Sequence, residues 1–398
     1  PVIVGSELAR ERLIARSIDV ISTHQSPSGA YPASPTFSAY RGYAWLRDGA
    51  FIAEGMSRAG HVDSASAFHA WCGRVIGARH DQVANLIGRA RAGLPVSAVE
   101  MLPTRFTLNG GDGADKWWDH QLDGYGTWLW ALAEHTTRHG VRVPGATEAV
   151  GVAARYLTWF WNQPCYDWWE EHVDQRHVST LGAVHAGLRA AVASGMLARK
   201  EAAAASQAVA DIAGLVAEQG VAPAGHLRKW LPSGQGTVAL VDPGEAVAPL
   251  HDLDTHELGV DAVDASLLAC VAPFGLYPVD HPVAVATVAE VERQLARDGG
   301  VHRFLADTFY GGGRWVLLAG FLGLNHAAAG RGAEALRYLD WMAAQADESG
   351  QMPEQVSDVL LASPRLQEWL QRWGPVARPL LWSHGMYLML ADMLEVRT

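Results

Sequence analysis

Two adjacent carboxylates, Glu170 and Glu171, follow two adjacent tryptophans in the stretch Tyr166-Asp167-Trp168-Trp169-Glu170-Glu171-His172. A carboxyl beside indole surface is partly desolvated, and a like charge next to it disfavours ionisation further, so both effects push one pKa upward. A raised carboxyl is what a general acid needs at neutral pH. The plainer alternative is a pair of solvated charges in the first turn of a helix, where the macrodipole favours them. Other chemically capable groups recur down the chain: Arg47-Asp48, Gln121 and Asp123, Asp252-x-Asp254-x-His256, Arg303 and Asp307, Glu354, and Trp382-Ser383-His384. Carboxyls facing each other across a bound ring, with arginine and aspartate to hold hydroxyls, are the equipment of glycoside hydrolysis.

The elements that would position these groups are helices. Residues 6 to 23 place Leu8, Leu13, Ile14, Ile18 and Ile21 at the three-and-four spacing of an amphipathic helix. A second helix is expected over roughly 47 to 59, stopped by Gly60, and a third follows with Asp63 as its cap. Helices also end at His139-Gly140, Ser194-Gly195, Phe274-Gly275 and Ala329-Gly330, and each time another helical pattern begins within a few residues. Such short turns make antiparallel helical hairpins. They alternate with long connections over 24–43, 80–120, 163–175, 218–258, 297–310 and 347–381. Strand-type alternation is nowhere sustained. An all-α ring of about six hairpins follows, odd helices outside and even helices inside. Its geometry puts every long connection on one rim, where the inner helices begin. The capable residues all map to that rim. Helix starts attract Asp and Ser for capping in any case, but not arginine or tryptophan.

Composition narrows the partners. The chain of 398 residues carries a net charge of -11, with 49% hydrophobic and 18% charged residues and no long like-charge runs, so a large core is expected and disorder is not. An acidic balance argues against nucleic acid or an anionic membrane as partner. Cys72, Cys165 and Cys270 are too few and too scattered for a disulfide framework, which points to a reducing, cytoplasmic setting. The first residues lack the pattern of a leader, and no apolar run reaches a span of about 20 residues. His251 and His256 with Asp252 and Asp254 lack tight ligand spacing, so neither a metal nor another cofactor is expected. Many of the 16 tryptophans lie beside polar residues in expected loops, which suits the apolar faces of sugar rings. An oligosaccharide is therefore the expected partner, for a monomer or small homo-oligomer.

Ser26-Pro-Ser-Gly-Ala30, Tyr43-Ala-Trp-Leu-Arg-Asp48, Gln121-Leu-Asp-Gly-Tyr125, Trp169-Glu-Glu171, Arg303-Phe-Leu-Ala-Asp307, Tyr310-Gly-Gly-Gly-Arg-Trp315, Gly350-Gln-Met-Pro-Glu-Gln355 and Trp382-Ser-His384, taken in order, resemble the motifs of the glucoamylase family, glycoside hydrolase family 15. The resemblance implies an (α/α)6 barrel and an inverting hydrolase that removes glucose from non-reducing ends. By position it implies Glu170 as general acid and Glu354 as the base that activates water. It further implies Arg47 and Asp48 as the grip on the terminal glucose, Glu171 and Arg303 as further contacts, and Trp45 and Trp169 as aromatic walls; Tyr43, Gln355 and Trp382 complete the expected substrate-binding set. Arg47 is expected to keep Asp48 ionised. Glu54, Glu134 and Glu257 match no catalytic motif, and Asp123 and Asp307 suit bracing of loops as well as contact with sugar. Leu46 stands where many members have proline, and helix one begins too early for the β-sandwich that often precedes the barrel, so residues 1–398 are expected to form one catalytic domain. Residues 364–373 read as a short amphipathic helix on the rim that narrows the entrance. A narrowed barrel is similar to the small bacterial members that act on isomaltose-type α-1,6 glucosides; an α-1,4 preference, trehalose hydrolysis and a non-catalytic sugar-binding barrel are the alternatives.

Overall fold

The computed structural model describes residues 2–115, 117, 120–232, 240–241, 258–259 and 261–396. Among them are fourteen α-helices: α1 (Val2–His24), α2 (Leu46–Arg58), α3 (Val62–Gly77), α4 (His80–Arg91), α5 (Asp123–His139), α6 (Ala146–Phe160), α7 (Val178–Ala193), α8 (Arg199–Gln219), α9 (Leu268–Val271), α10 (Pro282–Leu295), α11 (Val316–Ala328), α12 (Gly332–Ala344), α13 (Leu366–Trp373) and α14 (Leu381–Met393). Contacts run α2 to α5, α7, α9, α11, α14 and back to α2, which closes an inner ring. Outside it α3, α6, α8, α10, α12 and α1 each pack on inner helices or on one another. This is the expected (α/α)6 architecture, with α4 and α13 as additions to the twelve-helix scheme.

Burial marks the inner helices off from the most exposed outer one. α2, α5, α7, α11 and α14 are buried along most of their length, whereas α8 buries only Ala205, Ala208, Ile212 and Val216. A helix apolar all round is a core helix, and one with a single stripe lies on the surface. Inner helices must also approach closely. A Cβ on Gly126 of α5 would lie 2.4 Å from the Ala183 carbonyl oxygen of α7, so the crossing needs the missing side chain. α5 ends at Gly140, whose φ of 63° lets its N–H reach back to Thr136; only glycine adopts that left-handed geometry without cost.

Two details differ from expectation. The connection over 80–120 contains α4, whose apolar stripe is only Val83, Leu86 and Ile87, too sparse for the periodicity to stand out. Asp63 lies in the first turn of α3, and His61 is the cap residue. Short strands tie the rim loops down. Tyr43–Trp45 pairs antiparallel with Arg105–Thr107, and 296–297, 300–301, 314–315 and 355–356 form a four-stranded ribbon with Trp315 opposite Gln355. No helix among the described residues is long and apolar enough to cross a membrane.

Candidate active site

The rim loops surround a cavity whose empty space, counted together with the open solvent at its entrance, is about 800 Å³. Trp45, Arg47, Asp48, Trp169, Glu170, Arg303, Glu354 and Trp382 line it, joined by Phe37, Tyr40, Trp117, Trp168, Phe309, Trp315 and Trp373. Eight of the eleven expected site residues therefore share one chamber. Tyr43, Glu171 and Gln355 are not in its lining. The Tyr43 hydroxyl donates to Asp115 at 2.8 Å and its ring lies 3.7 Å under the Arg105 guanidinium, so Tyr40 is the tyrosine of the chamber. Gln355 accepts from the Gly313 N–H at 3.1 Å and so braces the ribbon.

Glu170 does not stand in a helical first turn, because α7 begins only at Val178. Its φ is 63°, a conformation that costs a non-glycine residue about 1–3 kcal/mol. Asp167 maintains it: one carboxylate oxygen accepts from the Trp169 and Glu171 N–H groups at 3.0 and 2.8 Å, and the Glu170 N–H reaches the Asp167 carbonyl at 3.0 Å. The left-handed residue sends neighbouring carboxylates apart. Glu171 faces Arg303 at 3.0 Å, whereas Glu170 accepts from the indole N–H of Trp45 (2.7 Å), the Gln121 amide (3.0 Å) and the indole N–H of Trp117 (2.9 Å). The indoles beside Glu170 are thus Trp45 and Trp117. Trp168 instead joins Phe51, Phe321 and Trp382 in the chamber floor.

Glu354 arrives from the ribbon. Its N–H bonds to Ala377 and its carbonyl accepts from Val316, which fixes the backbone at both ends. The side chain is buried, and burial pushes its carboxyl up to about 8 against the lowering pull of the Tyr40 hydroxyl, 3.0 Å away, and of Arg303. Asp48 is shifted in the same direction. Burial raises it to about 6 although Arg47 is 3.4 Å away. Arg47 is shared with Gln121 (2.8 Å) and Asp123 (3.2 Å), so its charge does not offset the desolvation of Asp48 alone. Asp123 and Asp307 both brace: Asp123 holds Arg47, and Asp307 receives Arg303 through two nitrogens. Glu54 is buried at the far end of α2, where Arg58 and Arg138 neutralise it. The cluster of His251, Asp252, Asp254 and His256, together with Glu257, lies outside the described residues. Among the described residues no group of His, Cys, Asp and Glu could hold a metal.

Phe309, Phe37 and Trp373 give the chamber an apolar wall, and Phe37 and Trp373 stack at 6.0 Å and 25°. Trp373 ends α13, whose buried Trp369 packs on Phe309 and Tyr310; this is the expected rim helix. Tyr40, Trp117 and Phe309 escaped the sequence reading. Trp117, four residues before Gln121, carried a weak signal, since both reach the same carboxylate.

A chamber of buried carboxyls, paired arginines and indole walls on an (α/α)6 ring defines a carbohydrate-active hydrolase, and residues 8–346 match the family model for glycosyl hydrolases family 15. The chain belongs to that family. It is 52% identical over 390 residues, 98% of its length and 94% of the relative, to an isomaltose glucohydrolase of Kribbella flavida. A glycosidase solved in complex with glucose superposes with a TM-score of 0.88 at 50% identity, covering 98% of both chains. The glucoamylase of Saccharomycopsis fibuligera has a TM-score of 0.70 at 12% identity over 99% of this chain and 96% of the other, which bears on fold alone.

Proposed function

We propose that the chain is an exo-acting, inverting α-glucoside hydrolase that releases β-glucose from non-reducing ends of short α-glucans, with a preference for α-1,6 linkages such as that of isomaltose. The observation that carries this reading is that Glu170 and Glu354 line one chamber, in a chain half identical to an isomaltose glucohydrolase. In this reading the terminal glucose lies against Trp45, Trp169 and Trp382, with Arg47, Asp48 and Arg303 as its polar grip and Glu171 behind Arg303. Glu170 protonates the glycosidic oxygen. Glu354, ionised, takes a proton from the water that attacks the anomeric carbon from the opposite face, which inverts its configuration. Tyr40 stabilises the ionised form of Glu354 by its hydrogen bond. The aromatic wall of Phe37, Phe309 and Trp373 offers the leaving sugar stacking surface and little room for a long chain. We further propose that this single catalytic domain acts in a reducing compartment, which suits the three unpaired, buried cysteines.

Proton NMR of the protein with isomaltose and maltose together tests the reading. Early β-glucose from isomaltose is the expected result. Early α-glucose refutes inversion, and faster loss of maltose refutes the linkage preference.

A further inference from the structure

Beneath the turn that carries Glu170 lies a cation that contacts nothing in the chamber. Lys229 is 2% exposed; its ammonium donates to Asp167 at 3.0 Å and also to Asp264, and it lies 4.5 Å from the Phe304 ring. Both acceptors are committed elsewhere. One oxygen of Asp167 closes the turn on the Trp169 and Glu171 N–H groups, while Lys229 holds the other. Asp264 accepts the indole N–H of Trp169 at 2.9 Å and the Ser266 N–H at 2.8 Å. The backbone of Lys229 is fixed as well, since its carbonyl accepts from Val178 at the start of α7 and its N–H reaches Ala262. One buried residue therefore joins three pieces of chain: its ammonium holds the turn 167–171 and the segment 262–266, and its backbone holds the start of α7.

We propose that Lys229 is a positioning residue for the proton-donating step, a buried counter-ion that locks the left-handed turn and so aims Glu170 at the glycosidic oxygen. This rests on Glu170 being the general acid. Lys229 touches no reacting atom and acts through two aspartates. Without it, Asp167 and Asp264 are two buried carboxylates with no ammonium between them, and a buried charge stripped of its partner is destabilised enough to rearrange or take up a proton. Burial alone would raise Asp167, yet Lys229 holds it well below the usual carboxylate range. Loss of the ammonium therefore weakens Asp167 as the acceptor that closes the turn, and the strain at Glu170 is then released by its movement.

Two substrates separate positioning of the acid from general structural support. Isomaltose needs a proton on its leaving oxygen. α-D-Glucopyranosyl fluoride does not: fluoride leaves unprotonated while water, deprotonated at Glu354, attacks the anomeric carbon, giving β-glucose, fluoride and a proton. In the full chain, Lys229→Met is expected to lower kcat on isomaltose about 100-fold, the size of a misplacement of about 1 Å in a catalytic group, with KM changed less than about threefold. On the fluoride kcat should stay within about fivefold of wild type, because general acid assistance is the main contribution removed. Glu170→Gln run in parallel distinguishes the two levels of the argument. If Glu170→Gln spares the fluoride and Lys229→Met slows both substrates alike, or slows neither, the role of Lys229 is overturned while the acid stands. If Glu170→Gln slows both substrates equally, the assignment of the acid itself falls. Should Lys229→Met not accumulate as folded protein, Asp167→Asn, which ends the ion pair but keeps a side-chain oxygen, carries the same comparison. Selective loss on isomaltose supports the inference, and equal loss on both substrates overturns it.

Discussion

Replacement of Tyr40 by phenylalanine removes one hydroxyl and, with it, the only side-chain hydrogen bond given to Glu354 among the described residues. The ring itself is held by Phe37 at 4.5 Å and Trp45 at 5.5 Å, so the variant should keep its packing. Burial has already pushed the Glu354 carboxyl up to about 8, and the hydroxyl is among the groups that oppose the shift. A hydrogen bond to an ionised acceptor is worth about 1.5–3 kcal/mol, and one pKa unit is about 1.4 kcal/mol. Loss of the hydroxyl therefore moves Glu354 up by about 1–2 units. A water-activating base works ionised, so its titration is the ascending, acid-side limb of the kcat/KM profile. That limb should move by the same 1–2 units toward higher pH, and on its slope the rate at fixed pH should fall about 10- to 100-fold. The assay is initial-rate hydrolysis of isomaltose from pH 5 to 11 for both proteins, wide enough to reach the plateau above the limb. A limb that stays in place, with the rate lowered by the same factor on the slope and on the plateau, refutes the coupling of Tyr40 to the base.

Glu170→Gln and Glu354→Gln should each lower kcat on isomaltose by about 100- to 10,000-fold, the usual worth of a general acid or base, while glucose still binds by calorimetry; near-normal turnover in either removes that residue from its role. Glu354 also bears on stability. Its folded pKa lies above the ordinary carboxylate range, so between pH 6.5 and 8 the folded chain holds a proton that the unfolded chain has lost, and stability falls as pH rises. Relative to Glu354→Gln, wild type should lose about 1.5 kcal/mol over that window; parallel melting curves at both pH values would contradict the buried, protonated carboxyl. The buried histidines His120, His177 and His384, lowered by burial to about 4, 4 and 3, act in the opposite sense but mainly below pH 6.5, and they cancel in the comparison. Trp373→Ala removes a part of the aromatic wall worth about 0.5–1.5 kcal/mol, which predicts a KM for isomaltose raised about 2- to 10-fold with kcat kept. An equal fall in kcat at unchanged KM would place Trp373 in the chemistry instead of in that wall.

The hairpin rhythm was legible because helix starts and stops are local. Gly60, Gly140, Gly195, Gly275 and Gly330 all adopt the positive φ expected of a stop. Glu170, Glu354, Arg47 and Trp382 were legible for a related reason, since each is carried to the chamber by the start of an inner helix or the loop before it. What the sequence hid depends on folding brought to completion. Nothing local marks Lys229 as the partner of Asp167, which lies 62 residues away. Nor does the order Trp-Trp-Glu-Glu show that a left-handed residue turns Glu170 toward Trp45 and Trp117 and leaves Trp168 in the floor. Arg47 and Asp48 show what adjacency leaves open. The ion pair it suggested is present at 3.4 Å, but burial still raises Asp48 to about 6, and Gln121 and Asp123 make two further claims on Arg47.

The ring is closed by a seam between segments very distant in sequence. His384 of α14 meets Ser17 of α1 at 3.0 Å, a separation of 367 positions, and its other ring nitrogen accepts the Met352 N–H in the loop that leads to Glu354. Contacts of such long sequence separation are costly in loop entropy and tend to form late. The consequence is temporal: the base is set in place by the same histidine that joins the two ends of the ring. A refolding chain should therefore recover helical signal before it recovers activity, and a chain emerging from the ribosome should have no competent site until α14 has docked.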